Sequence, residues 1–193
     1  MKKYIFLGII YIGIIACQKN AATTTSTTVD SGQTSTAPVI ANQLKFNGNG
    51  FANNGVYPKL YTCDSLGISP GVQWSNAPST TTSYALTMYT IPPTGDKHVY
   101  IVLYNIPAST SSIPDNSKSI GVFGINTVDG KTTYTPPCSQ GPGAKIYVLT
   151  LYALNAPPTI SVPNTQVTMD ILLAGMKNKI VDSAVMSVTY TRP

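Results

Sequence analysis

The 193-residue sequence predicts a mainly β protein: an antiparallel β-sandwich with one short helix near its C-terminus. Two observations carry that prediction. Residues 84–89, 99–104, 147–154 and 184–191 are rich in β-branched and aromatic side chains, the composition of half-buried strands. Between them stand turn-forming clusters such as Asn76-Ala77-Pro78-Ser79, Ile91-Pro92-Pro93-Thr94-Gly95 and Asn155-Ala156-Pro157-Pro158.

Taken from the N-terminus, the first element is a targeting segment. Lys2 and Lys3 precede an uncharged apolar run, and the 13 residues from Tyr4 to Ala16 reach only about 20 Å as a helix, against ~30 Å of bilayer hydrocarbon. That is the length of a secretory signal. The run ends in Ile14-Ile15-Ala16-Cys17, a lipobox-like sequence in which Ile14 stands where Leu is usual. Residues 1–16 are therefore expected to be a lipoprotein signal peptide, with Cys17 the lipidated first residue of the mature chain. Ordinary cleavage beside a chance cysteine is the alternative. The expected location is the bacterial cell envelope, on the periplasmic face or the outer surface.

Residues 17–41 follow as a Thr/Ser-rich tether with too little apolar content to form a core. Residues 42–193 then form one domain, long enough to bury about two-thirds of its unfolded surface without help from a metal. Charged residues are 10% of the chain, glutamate is absent, and His98 is its one histidine. Without Lys2 and Lys3 the formal charge falls from +5 to +3, which argues against nucleic acid as a partner. In the last part of the domain, residues 169–179 read as a helix. Thr168 caps it, Asp170 favours its N-terminal dipole, and Lys177 and Lys179 fall in its last turn. Ile171, Leu172, Met176 and Ile180 would form its buried face.

Five stretches resemble a known family. They are Pro58-Lys59-Leu60-Tyr61-Thr62-Cys63-Asp64 with Ile68-Ser69-Pro70 and Trp74; Leu103-Tyr104-Asn105-Ile106-Pro107; Gly130-Lys131-Thr132-Thr133-Tyr134 with Pro137-Cys138; residues 147–154; and Leu172-Leu173-Ala174-Gly175-Met176-Lys177 with Thr189-Tyr190. In order and spacing they are similar to the phosphatidylethanolamine-binding, Raf-kinase-inhibitor-like proteins of the bacterial YbhB/YbcL type. The resemblance implies a β-sandwich with a small anion-binding cavity at one end, and binding rather than turnover. In many members an Asp-Pro-Asp-x-Pro turn and two histidines form the cavity rim.

This chain departs from that rim. The two Asp positions fall on Thr90 and Pro92, the strand His on Tyr100, and the second His on Lys145, followed by Ile146 and Tyr147. The diverged pocket implied by the resemblance comprises Asp64, Thr90, His98, Tyr100, Pro137, Lys145 and Tyr147. His98 enters because it lies two residues before Tyr100, hence on the same strand face. Lysine in place of carboxylates would favour an anion if the pocket is open; the alternative is that these groups fill and seal it. The resemblance also places Cys63 and Cys138 in segments that meet near the cavity, where a disulfide would enclose about 75 residues. No catalytic residues, metal or cofactor are expected, because one histidine and no Gly-x-Ser-x-Gly elbow give hydrolase or zinc chemistry little to stand on. The expected function is that of a membrane-anchored binding protein for a small anion, a phospholipid head group or a partner protein. A structural or interaction lipoprotein with a vestigial pocket is the alternative.

Overall fold

Alternating and continuous apolar runs assemble into two antiparallel sheets in the computed structural model, which describes residues 43–93, 95–140 and 142–193. Strands β1 (Lys45–Gly48), β2 (Val72–Ser75) and β5 (Ser112–Ile113) form a three-stranded sheet in the order β1-β2-β5. Strands β3 (Ser83–Thr90), β4 (His98–Pro107), β6 (Val122–Phe123), β7 (Lys145–Leu154) and β8 (Ile180–Tyr190) form a five-stranded sheet in the order β6-β4-β3-β7-β8. The predicted β-sandwich is the observed architecture. Cys17 and the segments read as signal peptide and tether lie outside the described residues.

The larger sheet is covered on both faces, which explains its sequence. Phe46, Val72 and Trp74 of the small sheet pack with Leu86, Met88, Leu149, Leu151, Met186 and Val188 on one face. On the other, Val102, Tyr104 and Leu154 pack beneath helix α1 (Met169–Met176) through Met169, Leu172 and Met176. A strand buried on both sides has no solvent face to mark with polar residues, so β3 reads as a nearly unbroken buried run.

Helix α1 begins as expected but stops early. The Thr168 hydroxyl accepts a hydrogen bond from Ile171 N at 3.2 Å, and Asp170 occupies the first turn. The expected extent of 169–179 is corrected to Met169–Met176. Lys177 is already extended at ψ 132°, and Asn178 turns the chain at φ +64°, a conformation asparagine tolerates better than most residues. Lys177 and Lys179 therefore lie beyond the helix, and Ile180 is the first residue of β8 rather than part of the helical face. Met169 takes the buried place expected for Ile180.

Strand β4 bears two irregularities against β3. One leaves Asn105 at φ +54°. The other lies between the pairs Met88↔Ile101 and Tyr89↔Val99, so Tyr100 is an extra residue, as in a β-bulge. Consecutive side chains Tyr100 and Ile101 consequently both belong to the core between the sheets. The bulge decides the character of the candidate site.

Candidate functional site

Five tyrosines meet at the end of the sandwich where the aligned pocket residues fall. Tyr57 and Tyr61 come from the loop before β2, Tyr100 from the bulge of β4, Tyr134 from the loop before β7, and Tyr147 from β7; none exposes more than 8% of its surface. Ring centroids stand 5.6 Å apart for Tyr57 and Tyr61, 6.0 Å for Tyr57 and Tyr147, and 5.5 Å for Tyr100 and Tyr147. Phe51 closes the cluster edge-on to Tyr57 at 5.3 Å. These offset and edge-on contacts are favoured arrangements of aromatic rings and leave little room between them. Gly48 makes the last of them feasible, since a Cβ there would collide with the Phe51 ring.

Hydroxyl groups at the centre of an aromatic cluster need partners. Tyr57 and Tyr134 are joined through their hydroxyls at 3.2 Å, and Tyr134 Oη donates to the carbonyl of Tyr61. Tyr61 Oη reaches outward to Asp115 Oδ1 at 2.9 Å and Asn49 O at 3.1 Å. Tyr147 differs. Its phenol leans on that of Tyr100 without reaching good hydrogen-bonding geometry, so its hydroxyl is buried and unpartnered. Burial raises the pKa of all five phenols, and Tyr147 is pushed up to about 12. The cluster is neutral at any physiological pH.

The sequence-predicted pocket residues are near this cluster, but they do not line one cavity. Thr90 donates its hydroxyl to Ile146 O at 2.6 Å across the sheet, which uses its donor internally. Tyr100 and Tyr147 are core side chains. Pro137 is buried and its carbonyl accepts from Cys63 N at 3.1 Å. Lys145 is half-buried, with its ammonium donated to Pro142 O at 3.0 Å. His98 is exposed at the start of β4, paired with Thr90 in the register, and lines none of the larger cavities among the described residues. Shared strand parity with Tyr100 did not bring it to any of these cavities.

Asp64 is occupied by a partner that the sequence reading did not assign. Arg192 Nε lies 3.0 Å from Asp64 Oδ1 and Arg192 Nη2 lies 2.9 Å from the same oxygen, while Tyr190 Oη donates to Oδ2 at 2.8 Å. The Arg192 guanidinium, and then the Tyr190 hydroxyl, hold the Asp64 carboxyl below its ordinary pKa. Next to it, Cys63 and Cys138 are bonded at an S–S distance of 2.08 Å with their Cα atoms 5.3 Å apart. Arg192 Nη1 also approaches Ser139 O at 3.5 Å. The loops carrying Cys63 and Cys138 and the C-terminal segment are thus held together over the tyrosines. Outside this staple lies a groove of about 450 Å³ lined by Ser139, Pro142, Gly143, Arg192 and Pro193.

Tyr61 and Tyr134 belong to the matching stretches but not to the pocket set that the resemblance implies. Their signal was the loss of histidines and carboxylates together with a surplus of tyrosine. Arg192 lies just beyond the last matching stretch, and its pairing with a residue 128 positions earlier is a tertiary fact.

The fold and this arrangement define a two-sheet β-sandwich with a buried tyrosine cluster at one end. Residues 47–191 match the family model described as phosphatidylethanolamine-binding protein. A UPF0098 protein of Chlamydia muridarum is 30% identical over 154 residues, covering 76% of this chain and 98% of that one. The crystal structure of a phosphatidylethanolamine-binding-protein homologue from Chlamydia trachomatis superposes with a TM-score of 0.72 at 26% identity, covering 79% of this chain and 99% of that one. YbcL of Escherichia coli shares the fold, with a TM-score of 0.69 at 20% identity over 78% of this chain and 99% of its own. This chain belongs to the phosphatidylethanolamine-binding protein family.

Proposed function

We propose that this protein is an envelope-tethered interaction module of the phosphatidylethanolamine-binding family, working through its surface with the family pocket filled, and that it is not an enzyme. One observation carries the reading: Tyr57, Tyr61, Tyr100, Tyr134 and Tyr147 form a buried, mutually packed cluster at the end of the sandwich to which the resemblance assigns the pocket. An anion entering there would have to displace aromatic rings and would meet neutral phenols. Lys145, the cation that would draw it in, is turned to a loop carbonyl. The tether is supported by the sequence alone, through Lys2, Lys3, the apolar run and Cys17.

Thermal denaturation with inorganic phosphate, acetate and phosphoethanolamine tests the filled pocket. A ligand at 100 times its Kd stabilises by about 2.7 kcal/mol, which would raise the melting temperature by several degrees. No shift is expected with any of the three. A shift that disappears in Lys145→Ala would overturn the reading. For the tether, detergent-phase partition of the mature chain and its loss in Cys17→Ala is the expected result.

The unpartnered Tyr147 hydroxyl favours a second reading, in which Tyr100 swings aside to admit a small hydrogen-bond acceptor. The same titration decides between the two.

A further inference from the structure

The end of the sandwich opposite the tyrosines has a different chemistry. Here β1 and β8 start side by side, because Leu44 N donates to Asp182 Oδ2 at 2.8 Å. Lys45 is the exposed first residue of β1, on the small-sheet layer. In the middle layer β8 opens with Ile180 and Val181, 43% and 36% exposed. Lys177 and Lys179 arrive from the helix layer immediately before them, and the Lys179 ammonium stays near the surface on Pro157 O at 2.6 Å. Asp182 is the carboxylate of this group, and its two oxygens are taken by the backbone N–H groups of Leu44 and Ser183. The result is an apolar tip between lysines, on the end where residue 43 joins the preceding segment.

We propose that this end of the domain docks on an anionic lipid surface. The proposal rests on the reading of Cys17 as a lipid anchor. From Cys17 to residue 43 the chain has 25 intervening residues, and it enters the domain at the lysine-bearing end. A face held that close needs little intrinsic affinity, since the tether supplies a high effective concentration. Each lysine brought near anionic head groups changes docking by about fivefold. Ile180 and Val181 add apolar contact at the interface. At the opposite end Arg192 is paired with Asp64.

The experiment uses the mature lipidated chain in vesicles of phosphatidylglycerol with phosphatidylcholine, compared with phosphatidylcholine alone, and reads backbone hydrogen exchange. Exchange at residues 44–46 and 177–182 is expected to slow by about fivefold or more on the anionic vesicles, and to recover at high salt. Lys45→Gln combined with Lys177→Gln, both at exposed positions, should abolish the difference; Val181→Ser should reduce it. A chain that floats with both vesicle types but shows no local slowing overturns the docking face and leaves the anchor standing. A chain that floats with neither overturns the anchor, and the docking face with it. Slowing that needs native envelope protein, and is absent on pure lipid, assigns this end to a protein partner and also refutes the proposal.

Discussion

Replacing Tyr147 with phenylalanine should stabilise the protein. The Tyr147 hydroxyl is buried without a hydrogen-bond partner, while its ring packs against Tyr57 and Tyr100. Removing one oxygen keeps the ring contacts and deletes an unsatisfied polar group, whose burial costs about 1–3 kcal/mol. Its poorly aligned approach to the Tyr100 phenol returns part of that, so the expected net gain is about 1 kcal/mol. For a domain of this size that corresponds to a melting temperature higher by about 3 °C. Denaturant unfolding followed by tryptophan fluorescence, with calorimetry in parallel, measures both quantities. Tyr134→Phe is the internal control. It removes the hydroxyl that joins Tyr57 to the Tyr61 carbonyl, so it should destabilise by about 1–3 kcal/mol. If Tyr147→Phe proves destabilising by 1 kcal/mol or so, the hydroxyl has a partner in solution. The cluster would then hold a water or ligand, and the argument for a filled site would fail.

Three other outcomes follow from the same geometry. Reducing or removing the Cys63–Cys138 bond, which spans 75 residues, should cost about 4–5 kcal/mol on the loop-entropy account; denaturant midpoints with and without reductant give the value. In alkali, the tyrosine cluster should limit stability. The folded phenols titrate above the unfolded value of about 10, so their contribution is complete below that pH and is lost as pH rises through the folded values, Tyr147 at about 12. The phenolate absorbance contributed by these five tyrosines, isolated by comparison with their Phe variants, should therefore rise together with loss of circular dichroism rather than before it. On the acid side the sign reverses. Asp64 has a lowered pKa, so its stabilising pair with Arg192 is present above the unfolded carboxylate value and lost as pH falls through the folded one. Arg192→Gln should flatten the acid limb of a stability–pH curve.

Much of the architecture was legible in the chain because it rests on local pattern. The four strand runs appear as β3, β4, β7 and β8, each extended by one to four residues at one or both ends, while β8 stops at Tyr190, one residue before the expected 191. The short strands β1, β2, β5 and β6, two to four residues each, lack the length to show a period. Thr168 announced the start of α1 through its capping chemistry. The end of α1 was misread because Lys177 and Lys179 suit a helix terminus, whereas Asn178 at positive φ ends the turn only in context.

The candidate site divides along the same line. By itself the sequence determined that the chain carries one histidine and no glutamate, and the resemblance implies a rim in which Thr90, Pro92, Tyr100 and Lys145 are replacements for the usual ligands. Whether the replacements line a pocket or fill it was decided by tertiary structure. A one-residue bulge in β4 sends Tyr100 into the core beside Ile101, and rings from Tyr57, Tyr61, Tyr134 and Tyr147 close around it. Such packing depends on side chains up to 90 positions apart meeting in three dimensions, and no local pattern encodes that meeting. The pairing of Asp64 with Arg192 and the contact of Leu44 with Asp182 at the start of β8 arise in the same way, from register and layer stacking rather than from spacing along the chain.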